Sequence, residues 1–268
     1  MNSFDGMVAD GDKVDRAIAE ISRGNAAEAK GLLLAVVRNT PSQYFHQTPT
    51  SDGGLVIRFW DQMEFVHYVN WKKPNRKIVW NVAVYPRAYF YLGFIAVANR
   101  DYQVAIGYLD KALELEPTNP KILLEKAHAL MGLKRPADAI KIFEQVSTVG
   151  PFTSGADVAK GLRGRAFILI EQGMLDEAEA ALIASLELDP SSENAKQELR
   201  YITRLRSGEM ATIEPITIVT RAGQDLTVCV VCGDRIAQGR IVEKSGSPRL
   251  VCQSCDRKSK KKPWEFWR

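Results

Sequence analysis

Three prolines impose a period on the middle of this chain. Pro117 and Pro151 stand 34 residues apart, and Pro190 follows 39 further on. Each closes an amphipathic run with helical spacing. Read backward from them, one phase recurs. Twelve residues before the prolines stand Ala105, Ala139 and Ala178; eight before stand Leu109, Phe143 and Leu182. Twenty-four before stand Gly93, Ala127 and Ala166; twenty-one before stand Ala96, Leu130 and Leu169. Small residues recur where two helices must approach closely, and large ones where they interlock. A unit of this length that repeats in phase is a stacked helix–turn–helix, which buries its apolar face only against its neighbours.

The segment PRAYFYLGFIAVANRDYQVAIGYLDKALELEPTNP, residues 86–120, resembles the tetratricopeptide repeat (TPR) family, with Tyr89, Leu92, Gly93, Ala105, Leu109, Ala112 and Pro117 at its signature positions. A second unit, 120–151, keeps Ala127, Ala139, Phe143 and Pro151. A third, 159–190, keeps Leu162, Ala166, Ala178, Leu182 and Pro190 and follows a five-residue insertion within GPFTSGAD, whose Gly and Pro suit a loop. The resemblance implies a mainly α, TPR-type α-solenoid, with the first helix of each unit facing a concave groove. The family's groove positions are the second, fifth and ninth of that helix. Here they are Arg87, Phe90 and Phe94; Lys121, Leu124 and His128; and Lys160, Arg163 and Phe167. The set is aromatic and basic, so the expected partner is a protein segment that is acidic and apolar. Packing of these phenylalanines on a neighbouring unit is the competing reading. The chaperone-binding members clamp a carboxylate with Lys and Asn; Phe90 and Phe94 hold those places in the first repeat and Glu125 the asparagine place in the second, which argues against such a clamp.

Residues 1–41 read as a degenerate helical hairpin joined at Gly24-Asn25, with Ala17, Ala29, Leu33 and Pro41 in the same phase. Residues 86–206 comprise the three repeats and a capping helix, SSENAKQELRYITRLRSG, with a polar outer face. Residues 42–85 interrupt the pattern. TSDGG is a turn signal between QYFHQTP and LVIRFWD, and KIVWNVAVY is strand-like. DQMEFVHYVNW fits helix or strand. The expectation is a small β-rich insertion, an antiparallel hairpin packed on the solenoid. Its aromatics, Tyr44, Phe45, Phe59, Trp60, Phe65, Tyr68 and Trp71, are assigned to its core.

Residues 207–268 hold a strand-like linker and all four cysteines, Cys229-x2-Cys232 and, nineteen residues on, Cys252-x2-Cys255. Two residues between cysteines let one tight turn aim both thiolates at a single ion. RIVEK and PRLVC flank SGS and read as a hairpin joining the pairs. Four thiolates favour one structural Zn2+ per chain, and the segment is similar to a C-terminal β zinc ribbon. A rubredoxin-like iron site, a redox pair and a metal-free segment are the alternatives. The tail carries Arg257, Lys258, Lys260, Lys261 and Lys262, then Trp264, Phe266 and Trp267. It suits phosphates with stacked bases, an anionic membrane surface, docking on protein, or plain solvation.

Charge follows this division: residues 226–268 carry +6 and the other 225 residues −2, so only the C-terminal end is a candidate for polyanions. The longest charge-free apolar run spans 88–98, short of the ~20 residues of a membrane helix, so no transmembrane segment is expected. The acidic N-terminus without an apolar stretch points to a cytoplasmic protein. No P-loop, G-x-G-x-x-G, H-E-x-x-H or G-x-S-x-G occurs, and His46, His67 and His128 lack motif partners, so a non-enzyme is expected. The sequence therefore reads as an adaptor with a groove and a zinc ribbon as second contact. The alternative is a nucleic-acid binder that uses the ribbon and tail while the repeats recruit a partner.

Overall fold

The computed structural model describes residues 3–207 and the backbone of two further strands, 239–244 and 247–252; side chains are described from residue 7 to 207. Helices α1 (Ser3–Arg23) and α2 (Ala26–Val37) form a hairpin. An insertion follows: β1 (Gln47–Pro49), β2 (Leu55–Phe59), α3 (Gln62–Lys72) and β3 (Ile78–Val82). Three more hairpins come next: α4 (Val84–Ala98) with α5 (Tyr102–Leu115), α6 (Pro120–Gly132) with α7 (Pro136–Gln145), and α8 (Gly155–Glu171) with α9 (Leu175–Leu188). Helix α10 (Glu193–Ser207) closes the stack: Ala195 and Ile202 are buried, and Arg206 pairs with Asp176 and Glu179 on α9.

The hairpins share one turn. Gly24, Arg100, Lys134 and Gly173 all have positive φ, at the same offset ahead of Pro41, Pro117, Pro151 and Pro190. In each, the next N–H reaches back to the helix that is ending: Asn25 to Glu20, Asp101 to Ala96, Arg135 to Leu130 and Met174 to Leu169, all at 2.9 Å. This left-handed residue with a back-reaching bond satisfies carbonyls that a helix C-terminus leaves free. The first hairpin therefore repeats the geometry of the other three. Helix starts are equally local. Asn119 caps α6 ahead of Pro120, whose missing N–H costs nothing in a first turn. Ser154 and Asp157 form a reciprocal capping box on α8. That box starts the helix at Gly155, so the last residues of GPFTSGAD are helical and the loop is shorter than the sequence suggests.

The recurring small residues are where helices touch. A Cβ at Gly93 would sit 2.7 Å from Leu109, and one at Gly164 would sit 2.3 Å from the Phe143 ring. Ala105, Ala127, Ala139, Ala166 and Ala178 are fully buried. Despite the insertion between them, α2 and α4 pack together, with Leu33 and Val36 against Ala88, Leu92 and Ile95.

The insertion is not the antiparallel hairpin expected. β1 and β2 pair antiparallel, Gln47 opposite Ile57, but β3 pairs parallel to β2, Leu55 opposite Ile78. Parallel strands need a crossover, and α3 supplies it. Asp61 starts α3 by accepting the Glu64 N–H, which settles DQMEFVHYVNW as mostly helix. Leu55, Ile57, Phe59 and Tyr68 form a small core there, joined by Phe152 from the α7–α8 loop. Phe45 and Trp71, expected inside, are 59% and 49% exposed. The two last strands, β4 (Gly239–Lys244) and β5 (Ser247–Cys252), pair antiparallel with Gly239 opposite Cys252. No described helix is long and apolar enough to cross a membrane.

Candidate functional site

The first helices of the four hairpins, α1, α4, α6 and α8, together line a concave cavity of about 450 Å³. Six of the nine expected groove residues line it: Arg87, Phe90, Lys121, Leu124, His128 and Lys160. Phe94, Arg163 and Phe167 do not. Phe94 is buried, its ring 6.3 Å from those of Phe90 and Tyr91. Arg163 is 5% exposed and donates to Ser185 Oγ at 3.0 Å and Asp189 Oδ2 at 3.2 Å, tying α8 to the end of α9. Phe167 packs against the central core and borders a separate recess beside α10.

The wall holds residues that the periodicity did not single out. Ile18 comes from α1, Trp60 and Asp61 from the insertion, and Tyr91, Glu125 and Asp157 from α4, α6 and α8. The charge is thus mixed rather than basic. Arg87 donates to Asp15 at 2.6 Å, and Lys121 to Asp61 at 2.8 Å. Asp157 accepts from the Ser154 N–H and hydroxyl. Glu125 is 8% exposed; its Oε2 lies 3.6 Å from His128 Nδ1, and its Oε1 is buried without a hydrogen-bond partner. A signal for Glu125 existed, since it shares a helix stripe with Lys121 and His128 at i+4 and i+7. Nothing local announced Trp60 or Asp61.

The insertion reaches the cavity through a buried polar knot. The Trp60 ring meets Phe90 edge-on at 5.1 Å, and the Lys121 ammonium sits over it at 5.3 Å. Its indole N–H donates to Glu116 Oε2 at 2.8 Å and its backbone N–H to Glu64 Oε2 at 2.6 Å. Glu116, 5% exposed, also accepts from Asn119 at 2.8 Å and from the Tyr44 hydroxyl at 3.1 Å. Burial, with Glu116 and Asp61 nearby, pushes the Glu64 carboxyl up to about 7 against the pull of Lys121 and of the Trp60 N–H. Burial raises Glu116 as well, and burial followed by the Glu116 charge raises Tyr44. At the far side, His67 Nε2 donates to the Gly150 carbonyl at 2.7 Å, and Phe152 lies 4.8 Å from His46 and 5.1 Å from Tyr68. Burial holds His46 below its ordinary value, and its Nε2 donates to the Arg58 carbonyl at 2.7 Å. The insertion therefore bridges α4 and α6 to the α7–α8 loop.

Of the expected metal ligands, Cys252 is the last residue of β5; Cys229, Cys232 and Cys255 lie outside the described residues. So do Arg257, Lys258, Lys260, Lys261, Lys262, Trp264 and Trp267, and the strand-like linker. Among the described residues no cluster of His, Cys, Asp or Glu is arranged to hold a metal ion.

Tetratricopeptide-repeat models match residues 96–163 and 164–192, and the central helices are tetratricopeptide repeats. A curated relative, the Protein STIP1 homolog of Dictyostelium discoideum, is 28% identical over 114 residues, 41% of this chain. The match spans only 19% of that protein's length. MamA from Desulfovibrio magneticus aligns over 74% of this chain and 88% of its own, at 19% identity and a TM-score of 0.48. The first TPR of Spaghetti (RPAP3), solved bound to the HSP90 peptide SRMEEVD, aligns over 46% of this chain and 93% of its own, at 24% identity and a TM-score of 0.40.

Proposed function

We propose that this chain is a non-catalytic adaptor that holds an extended or helical segment of a partner protein in its concave cavity. The cavity itself carries this reading: four stacked hairpins and the insertion line one recess with Trp60, Phe90, Tyr91 and Leu124 beside charged groups. Rigid aromatics with two rotatable bonds lose little entropy on contact, which suits them as anchors. The mixed wall replaces the purely basic one expected, so a strictly acidic partner is no longer favoured. Phe90 and Phe94 still stand where a carboxylate clamp would need Lys and Asn.

The second contact in this reading is a zinc ribbon formed by Cys229, Cys232, Cys252 and Cys255. Its support is the paired spacing together with the β4–β5 hairpin, whose open end carries Cys252. The zinc would be structural, since four thiolates leave no position for water. Metal analysis of protein purified without chelator should give one zinc per chain; a metal-free, folded chain would exclude the ribbon.

Capture from nuclease-treated lysate tests the groove. One and the same protein should be retained by the wild type and lost on Phe90→Ala and on Tyr91→Ala, while both variants still melt cooperatively. Retention should survive replacement of Lys258, Lys260, Lys261 and Lys262 by Ala. Binding that instead depends on those lysines and falls steeply with salt would move recognition to the tail and to nucleic acid.

A further inference from the structure

The charges in the cavity are mostly spent on one another. Arg87 is held by Asp15, Lys121 by Asp61, and Asp157 by the cap of its own helix. Glu125 differs. It is 8% exposed, it lines the cavity, its Oε2 lies 3.6 Å from His128 Nδ1, and its Oε1 has no hydrogen-bond partner. A carboxylate accepts hydrogen bonds only, and leaving one oxygen unsatisfied in a low-dielectric recess is costly. A ligand that brings donors removes that cost, which makes such an atom a stronger recognition element than an exposed charge. The neighbouring surface matches a long cationic side chain. Leu124, one residue away, and Phe90 and Tyr91 on α4 give an apolar wall for an aliphatic stem, and aromatic faces attract a guanidinium or ammonium.

We propose that the concave cavity selects a partner segment by a basic side chain, Arg or Lys, that seats its charged head on Glu125 and lays its stem along Leu124, Phe90 and Tyr91. The proposal rests on the groove reading above and sets its chemistry. Arg is the better fit, since its fork presents several donors to one carboxylate. Lys160, which makes no ion pair among the described residues, stands on the adjacent helix and works against a second cation, so one basic residue is selected rather than a run.

The test is a random decapeptide library displayed on phage and panned against the immobilised full chain. Recovered peptides should share one Arg or Lys flanked by apolar residues. A synthetic fluorescent consensus peptide should lose at least tenfold in affinity when that residue becomes Gln, and similarly on Glu125→Gln of the protein. Lys160→Met should keep or strengthen binding. Enriched peptides without a basic preference, or an unchanged affinity on Glu125→Gln, overturn this inference and leave the groove reading standing. No enrichment over bare support overturns both. Should Glu125→Gln fail to fold, Lys160→Glu replaces it: basic peptides should then bind several-fold tighter, and no change counts against the proposal.

Discussion

Lys134 and Arg100 occupy a left-handed turn that glycine fills in the other two hairpins, with φ of 58° and 66°. A side chain at such a position costs about 1 kcal/mol, because Cβ crowds the carbonyl. Lys134 is exposed, so its removal forfeits no core contact. Lys134→Gly should raise unfolding free energy by about 0.5–1 kcal/mol, read by urea denaturation with an unchanged slope. A drop would show that the lysine makes a contact that outweighs the strain. The same residue-level view explains what was readable in the sequence. Gly93, Ala127 and Ala166 were legible because close helix approach excludes large side chains, and that requirement repeats with the backbone. Arg163 was misplaced for a complementary reason. Its register matches the groove, but Ser185 gives the guanidinium a buried acceptor on α9 and draws it inward.

Elements differ in how far their signals reach. The repeat helices were legible because their period recurs along the chain; the capping box at Ser154 and the Asp61 cap, though each is complete in four residues, are missed by the sequence reading, which makes GPFTSGAD a loop and leaves DQMEFVHYVNW open. The sheet was only half legible. The β1–β2 pairing is set by the adjacent turn, whereas β3 finds β2 across an intervening helix, a choice no local pattern encodes. The insertion's attachment also predicts a pH response. In the folded chain Glu64 has a pKa of about 7, above the ordinary 4.5 it regains on unfolding. The folded state then binds more protons than the unfolded one between those values, so stability is highest below about pH 4.5 for this group and is lost as pH rises through 7. Glu116, raised in the same direction, adds to the slope. Glu64→Gln should therefore flatten stability between pH 5 and 8 and raise it at pH 8 by about 1–3 kcal/mol. Tm across that range measures it; equal slopes in both proteins would refute the link.

At the scale of the whole molecule, the two irregularities in the repeat pattern turn out to be partners. The insertion after the first hairpin and the loop before the fourth meet through Phe152 and the His67–Gly150 bond, which joins positions 83 residues apart. An ordinary stack of repeats touches only its neighbours and unfolds in pieces. This bridge should tie the middle hairpins into one cooperative unit. Phe152→Ala should lower stability by about 1–3 kcal/mol and, more tellingly, broaden or split the denaturation transition. A uniform shift with an unchanged slope would show that the bridge is local packing and nothing more. The bridge also fixes an order in time. During synthesis Phe59 and Tyr68 emerge long before residue 152, and their cover does not exist until the third hairpin has been made. For that interval the nascent chain carries these aromatics without Phe152 over them, and a ribosome that stalls between those points releases a product with that face uncovered.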